Sequence, residues 1–389
     1  MALLFMDGFD LYADRADVLK GGWSALNSGP SMSTSQGRYG GGCLTNNNSA
    51  RAWVQSLGSI AGGSTVHFAF HYYVGALGSG TANDPIINIF DGTDTTMFRI
   101  EHNTSGDVKC YNAAGSQLGS TASAAIVNTA WHWIEVKITF GTTSGNASAK
   151  VYLNGSLILN VSSVNIYVGT GINNRGQLVK FYGSNGGSRF DDVIIWDTSG
   201  SSVNSFPLGE CKIDTLSPNA DGTNNDWGKS TGSTRYTLVD DGISGTANDD
   251  TDYLTSSTVG DKTDIAMSNL SDNPTTIYAT QMRVEVARAE EKAPGHVDPS
   301  REPGAEQVAA HCIEVRVSKQ IRAVSSIAAQ QRIALQLHVG QEPIEAGLEA
   351  RGQHVGPSTN VLARHGHGRR SREFLMIEPT SIFGPPVAI

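Results

Sequence analysis

Short runs of alternating apolar and polar residues fill the first 285 positions of the chain, and turn residues separate them. Segments such as Ser64–Val74, Trp133–Phe140 and Leu178–Tyr182 are rich in β-branched and aromatic residues. Asn154-Gly155 stands between two such runs, and both positions of a two-residue hairpin turn need the positive φ that Asn and Gly adopt most readily. No amphipathic helix is evident in this part. The pattern predicts a mainly β protein, with an N-terminal antiparallel sandwich or jelly roll.

Composition divides the chain into three regions. Residues 286–389 contain ten arginines and six histidines but only two aromatic residues. A second boundary precedes Cys211–Leu216, which with Tyr236–Val239 and Thr275–Val286 reads as strand. We therefore expect a jelly roll over residues 1–205 and a second, smaller β module over 206–287, whose strand pattern breaks off at Ala287–Lys292. Residues 288–389 form a poorly structured Arg/His-rich tail with a helical fragment near Ala323–Leu337.

The tail has two competing explanations. A shifted reading frame beginning near Ala287–Lys292 would change Arg, His and aromatic usage together and remove strand periodicity, as observed here. A genuine Arg-rich tail that orders only on a partner would show the same composition. Both explanations predict that residues 288–389 lack a core of their own, because two aromatic residues offer little large apolar surface to bury.

Charge and hydropathy exclude several function classes. The 389 residues carry a net charge of -9, and only 17% of them are charged, so nucleic acid is not an expected partner. No apolar run reaches the roughly 18 residues of a membrane-spanning helix, so we expect no membrane association. The first residues lack the basic region of a signal peptide. Outside an oxidising compartment, Cys43, Cys110, Cys211 and Cys312 are expected to be free thiols.

Carboxylates and histidines are the candidate residues for catalysis and metal binding in this chain. A glycoside hydrolase of this fold class needs two carboxylates across the scissile bond. Glu101 and Glu135 are each alone in their strands, so the sequence predicts no catalytic residues and no enzyme. His67 and His71 lie on the same face of one strand, where they are candidates to bind a metal ion. The alternative is that they cover the surface of the sheet. Two loops contain clustered carboxylates that are suited to bind Ca²⁺: Asp91 with Asp94, and Asp221 with Asp226. The alternative is that these residues only form turns.

Exposed aromatic residues are the usual platforms for sugar rings, and four are candidates for carbohydrate binding: Trp53, Tyr72, Tyr73 and Tyr111. Alternation along a strand does not show which face is exposed to solvent. The alternative for each of the four residues is therefore a position in the core.

Three motifs occur in a characteristic order. Trp131-His132-Trp133-Ile134 begins a strand, Val151–Gly155 forms a hairpin, and Phe190-Asp191-Asp192-Val193 follows about forty residues later. This order resembles the closing half of concanavalin A-like, LamG-type jelly rolls, and the resemblance covers about residues 5–200. It implies a structural role for the motif residues Trp131, Trp133, Asn154, Gly155, Asp191 and Asp192.

The N-terminal Asp7–Tyr12 and Gly37–Gly41 segments, and the second region, resemble bacteriophage virion proteins that carry such a lectin domain. The resemblance implies a tail, baseplate or capsid-associated structural protein. Its lectin-like domain would serve assembly or adhesion to host-surface glycans. It further implies other virion proteins as partners, a homo-oligomer, and location in the virion after assembly in the host cytoplasm. The alternative is a carbohydrate-active enzyme or free lectin of the concanavalin A-like superfamily.

Overall fold

The fold was examined in a computed structural model of the 389-residue chain. The structure describes residues 3–338 except 27–29, 48–51, 78–82, 92–93, 144, 167–175, 185, 200–204, 240–252, 257, 259, 272–273, 283–284, 289–312, 317–320 and 328–333. Within this part of the chain no helix is both long and apolar enough to cross a bilayer.

The N-terminal half is built almost entirely from β-strands. One short helix, α1 (Arg15–Lys20), is capped by the Asp14 carboxylate, which accepts a hydrogen bond from the Asp17 N–H at 3.0 Å. The strands are β1 (Leu3–Asp7), β2 (Ser24–Leu26), β3 (Ser31–Ser33), β4 (Cys43–Asn46), β5 (Ala52–Ile60), β6 (Thr65–Val74), β7 (Asp84–Phe90), β8 (Thr96–His102), β9 (Val108–Asn112), β10 (Gln117–Ala122), β11 (Trp131–Thr139), β12 (Ala147–Leu153), β13 (Ser156–Val164), β14 (Gly176–Tyr182) and β15 (Ser188–Asp197).

These strands form two antiparallel sheets that pack face to face. The eight-stranded sheet has the order β13-β12-β11-β6-β15-β4-β3, with β1 also paired to β15. The seven-stranded sheet has the order β10-β9-β8-β7-β14-β5-β2. Alternate residues of both sheets meet in one apolar core that includes Phe68, Phe70, Phe98, Phe181 and Phe190, all fully buried. The mainly β class predicted from the sequence is therefore confirmed.

The hairpin predicted at Asn154-Gly155 is present. Both residues have positive φ, 49° and 79°, as a two-residue turn between twisted strands requires. The Asn154 side-chain oxygen accepts a hydrogen bond from the Trp133 backbone N–H at 2.9 Å. The Asn154 backbone N–H donates to the Trp133 carbonyl at 2.8 Å. The turn thus holds β12 and β13 against the start of β11.

Among the described residues, the strands that follow the sandwich are β16 (Lys212–Leu216), β17 (Pro218–Asn225), β18 (Gly228–Lys229), β19 (Leu254–Ser256), β20 (Lys262–Met267), β21 (Pro274–Met282), β22 (Glu285–Arg288), β23 (Ile313–Arg316), β24 (Ile321–Ile327) and β25 (Ala334–His338). They form three small antiparallel sheets, β16-β24-β21, β17-β20-β25 and β18-β19-β23-β22.

Two local predictions for this region are wrong. Tyr236–Leu238 is a 3-10 helix and not a strand, because the Asp221 carboxylate accepts hydrogen bonds from the N–H groups of Arg235 and Tyr236 and turns the chain there. The helical fragment predicted near Ala323–Leu337 is replaced by β24 and β25, which pair with strands from residues 212–282. Those distant partners overrode the local helical pattern. Residues 339–389, most of the predicted tail, lie outside the described residues.

The start of this second region covers the outer face of the eight-stranded sheet. Cys211 and Ile213 pack in a separate apolar cluster with Met6, Ala69, Trp133, Ile194 and Trp196, whose side chains point away from the sandwich core. The Glu135 carboxylate, fully buried on the same face, accepts a hydrogen bond from the Leu208 N–H at 2.6 Å. Part of the outer face of the eight-stranded sheet is therefore covered by the start of the second region.

Candidate functional site

The outer face of the seven-stranded sheet presents one continuous row of side chains. Arg99 pairs with Tyr111 on one side and with Asn88 on the other, and Asn88 pairs in turn with Lys180. Residues directly opposite each other in antiparallel strands project from the same face. Their sequence neighbours Phe98, Ile89 and Val179 lie in the core, so the row faces outward. Across the sheet, the row reads Ser24, Val54, Lys180, Asn88, Arg99, Tyr111 and Gln117.

Lys180 stands near the middle of this row. Its ammonium group lies 3.8 Å from the centroid of the Phe90 ring and 2.6 Å from an oxygen of Asp94. The lysine side chain is 7% exposed, whereas that of Asp94 is 67% exposed. The loop after β7 therefore supplies the carboxylate that balances a nearly buried cation.

Asn88 and Tyr182 meet beside this lysine. The Asn88 side chain lies beside the Tyr182 hydroxyl. Burial, together with the negative charge of Asp94, raises the pKa of Tyr182 to about 12, so its hydroxyl keeps its proton at neutral pH. The side-chain oxygen of Asn88, on a residue only 9% exposed, has no hydrogen-bond partner among the described residues. Buried acceptors normally have a partner, so this oxygen is left unsatisfied below the surface of the row.

Arg99 and Tyr111 extend the row toward the sheet edge. The guanidinium carbon lies 4.8 Å from the centroid of the Tyr111 ring, and the Arg99 Nε is 2.6 Å from an oxygen of Glu101. The Asn83 side-chain amide donates to the Tyr111 hydroxyl at 3.2 Å. A half-exposed aromatic ring, a guanidinium and an amide therefore lie together, a set that can stack against a sugar ring and bond its hydroxyls.

The four aromatic residues predicted to bind carbohydrate occupy different places. Tyr111 lies on the row just described. Tyr73 is half-buried on the outer face of the opposite sheet. Trp53 and Tyr72 are fully buried in the core, where Tyr72 forms a hydrogen bond with His102 at 2.9 Å. The prediction of a glycan platform at Trp53 and Tyr72 is therefore wrong, because neither ring reaches solvent.

The two predicted calcium loops use their carboxylates for other contacts. Asp91 accepts a hydrogen bond from the Thr95 N–H at 2.9 Å, and Asp94 pairs with Lys180. Asp221 lies on β17 and caps the 3-10 helix, and Asp226 accepts from the Lys262 N–H at 3.1 Å. Within the described ranges, no group of three or more His, Cys, Asp or Glu residues is arranged to hold a metal ion.

His67 and His71 face the second region. His67 is stacked on Trp196, with ring centroids 5.0 Å apart, and burial lowers its pKa to about 4. His71 lies between two carboxylates, Asp192 and Glu210, at 3.0 Å from each. His67 also contacts the Phe206 ring, with centroids 5.0 Å apart, so both imidazoles lie between the sandwich and the segment that follows it.

Asp191 and Asp192, two further motif residues, bind backbone N–H groups of other segments. Asp191 and Asp192 lie at a bulge in β15, where Asp192 has a φ of 49° and its carboxylate accepts from the Ile213 N–H at 2.7 Å. Asp191 accepts from the Arg38 N–H at 2.7 Å. Sequence reasoning missed Lys180, Asn88, Arg99 and Tyr182. Alternation in β14 indicates that Lys180 and Tyr182 share a face, but the pairing of β14, β7 and β8 was needed to join them to Asn88 and Arg99.

Sequence comparisons with protein-family models and with curated proteins find no match. Several solved structures are similar at the level of the fold. They include the endo-β-1,4-glucuronan lyase of the fungus Trichoderma reesei, with 11% identity and a TM-score of 0.37 over 51% of this chain and 96% of that one. The carbohydrate esterase of the Shiga toxin-encoding bacteriophage phi24B has 15% identity and a TM-score of 0.35, over 51% and 99%. The carbohydrate recognition domain of Emp46p has 7% identity and a TM-score of 0.35, over 50% and 97%.

These structures are carbohydrate-binding or carbohydrate-active β-sandwich proteins of the lectin and lyase type. Because they include a polysaccharide lyase and an esterase, they contradict the expectation that the protein is not an enzyme. That expectation rested on the missing carboxylate pair of glycoside hydrolases, a requirement of one reaction class only. At these identities the similarity is one of fold.

Proposed function

We propose that the sandwich binds a polysaccharide chain across the outer face of its seven-stranded sheet. The observation that carries the proposal is the register-aligned row Lys180, Asn88, Arg99 and Tyr111 on the outer face of this sheet. A row that crosses every strand of the sheet matches an extended ligand that contacts each strand in turn. Amide, guanidinium and ammonium groups supply the hydrogen bonds for sugar hydroxyls, and Tyr111 offers a ring for stacking.

As the setting of this binding, we propose a bacteriophage virion protein of the tail, baseplate or capsid, whose lectin-like domain holds host-surface polysaccharide. The support is the resemblance of Asp7–Tyr12, Gly37–Gly41 and the second region to such proteins. Mass spectrometry of purified virions tests it, because a virion protein is present in stoichiometric amounts together with capsid or tail proteins. Its absence from virions whose genome encodes it would contradict this setting.

A second candidate function is cleavage of the same polysaccharide, and Tyr182 is the observation that favours it. Its hydroxyl lies beside the Asn88 side chain, on the strand that carries Lys180. In cleavage by water, the water oxygen adds to the sugar carbon as the glycosidic bond breaks, while the Tyr182 hydroxyl gives its proton to the departing oxygen and regains one from the water. Release of new chain ends by the wild type but not by a Tyr182→Phe variant that still binds would support cleavage. If the wild type binds the polysaccharide but releases no new chain ends, binding is its only function.

The binding proposal is tested by titrating the full chain with a panel of neutral and acidic polysaccharides. For a polysaccharide that binds, Arg99→Gln and Tyr111→Ala are each expected to weaken affinity about tenfold, the size of a lost hydrogen bond or stacking contact. Lys150→Gln is the control, because Lys150 is exposed on β12 of the other sheet. Variants that fold normally and bind like the wild type, or the absence of binding across the panel, would contradict the proposal.

A further inference from the structure

A groove of about 330 Å³ lies on the opposite outer face, beyond the part that the second region covers. Its walls are the side chains of Ser33, Gln36, Thr45, Asn47, Tyr73 and Arg189, with the backbone of Gly75, Gly186 and Gly187. The backbone wall requires glycine, because a side chain at Gly186 would collide with the Ala76 carbonyl. Two hydrogen bonds fix this wall, Gly75 N–H to the Gly187 carbonyl at 2.8 Å and Ala76 N–H to the Gly186 carbonyl at 3.2 Å.

The groove also has a register-aligned row of side chains. Tyr73 on β6 pairs with Trp131 on β11 and with Arg189 on β15, and Arg189 pairs with Thr45 on β4. Tyr72 and Phe190, the sequence neighbours of Tyr73 and Arg189, lie in the core. Trp131, Tyr73, Arg189 and Thr45 therefore project outward together.

Arg189 gives the groove its charge. Its guanidinium carbon lies 4.4 Å from the centroid of the Tyr73 ring, which holds the planar group in one orientation. Over the described part of the chain, Arg189 forms no ion pair, and the other residues that line the groove are uncharged. A guanidinium without a carboxylate is positioned to bind an anion through two parallel N–H groups.

We propose that this groove binds an acidic sugar unit, a pyranose that carries a carboxylate or a sulfate. Arg189 binds the anionic group, while the amides of Gln36 and Asn47 and the hydroxyls of Ser33 and Thr45 bond the ring hydroxyls. Anionic charge distinguishes this ligand from a neutral sugar, which would leave the guanidinium without a partner. The site is separate from the one proposed above, because the two lie on opposite outer faces of the sandwich.

Arginine footprinting tests this proposal on the full chain. Phenylglyoxal modifies accessible guanidinium groups, and mass spectrometry measures the modification of each arginine separately. With a tetrasaccharide of galacturonic acid as the probe, Arg189 is expected to be protected at least about threefold, whereas a neutral cellotetraose leaves it reactive. Arg15 on α1 is the control guanidinium. Arg99 reports on the other face, so protection of Arg99 alone would contradict this proposal while leaving the first one standing.

Two variants make the proposal falsifiable by affinity. Arg189→Gln is expected to weaken binding of the acidic tetrasaccharide about tenfold, and Arg189→Lys, which keeps the charge but loses the planar fork, to give an intermediate affinity. Lys150→Gln, an equal loss of charge on an exposed strand, should bind like the wild type. Equal binding by Arg189→Gln and wild type, or equal loss in Lys150→Gln, would overturn the assignment.

Discussion

His71 and Glu210, 139 residues apart in the chain, are joined by a contact of 3.0 Å between the imidazole Nε2 and a carboxylate oxygen. The imidazole Nδ1 contacts Asp192 at the same distance, and Asp192 also accepts from the Ile213 N–H. A histidine that is 1% exposed therefore connects the sandwich to the segment that follows it. This arrangement makes the contact between the two regions dependent on pH.

We expect stability to depend on the protonation of His71. Burial, the largest influence, lowers its pKa, but the hydrogen bonds and charges of Asp192 and Glu210 together raise it above the ordinary 6.5. The hydrogen bond from His71 is the main cause that lowers the pKa of Glu210 to about 2. The His71 contribution is complete below pH 6.5 and is lost as pH rises through the folded pKa. The Glu210 contribution is complete above pH 4.5 and is lost as pH falls toward 2.

Urea unfolding between pH 5 and pH 9 measures this effect. The His71→Gln variant should lose about 3 kcal/mol near pH 6, because Asp192 stays buried without its cation. Its free energy of unfolding should also change less with pH than that of the wild type. Glu210→Gln is the milder comparison, with a cost of at most about 1 kcal/mol, because the Glu210 side chain is 49% exposed. Identical pH profiles for His71→Gln and wild type would refute the role of His71.

Trp53 and Tyr111 should respond differently to truncation. Trp53→Ala is expected to cost about 3–5 kcal/mol of stability, because it removes a fully buried ring from the core. Tyr111→Ala removes a half-exposed ring and should cost about 1 kcal/mol or less while weakening polysaccharide binding. Thermal unfolding and polysaccharide titration of the same two samples separate the effects. A Trp53→Ala protein as stable as the wild type would contradict the buried position.

The hairpin turn can be tested through its backbone alone. Gly155→Ala is expected to cost about 1–2 kcal/mol, because Gly155 has a φ of 79° that disfavours a side chain. A methyl group there would meet no other atom within 4 Å, so steric overlap does not contribute. Ser156→Ala, at the next and exposed position, is the control and should change stability by less than about 0.5 kcal/mol. Equal effects of the two substitutions would argue against the turn geometry.

Three thiols should be unreactive in the folded protein. Cys43, Cys110 and Cys211 are free and buried, and burial is the main cause that raises the pKa of each, that of Cys43 to about 12. Because the thiolate is the reactive form, these residues should not react with a disulfide reagent at pH 8 until the chain unfolds. Mass spectrometry of alkylated peptides identifies each site. Fast modification of any of the three in native buffer would contradict the fold around it.

Local features of the sequence were sufficient for the fold class. Alternation fixes which residues of a strand share a face, and the Asn154-Gly155 pair supports a tight hairpin through its own backbone preferences. These properties depend on neighbours within a few positions, so a single chain is enough to read them. The structural roles predicted for Trp133 and Asp192 rested instead on the resemblance to LamG-type jelly rolls.

Only the tertiary structure decided which face of each strand is open. Alternation divides the residues of β6 into two sets, yet it does not tell that Tyr72 enters the core while Tyr73 borders a groove. Lys180, Asn88 and Arg99 come together only because β14, β7 and β8 pair in one register. The strands β24 and β25 likewise owe their conformation to partners far away in the chain. Long-range pairing and burial arise from contacts between distant segments, and no local pattern encodes them.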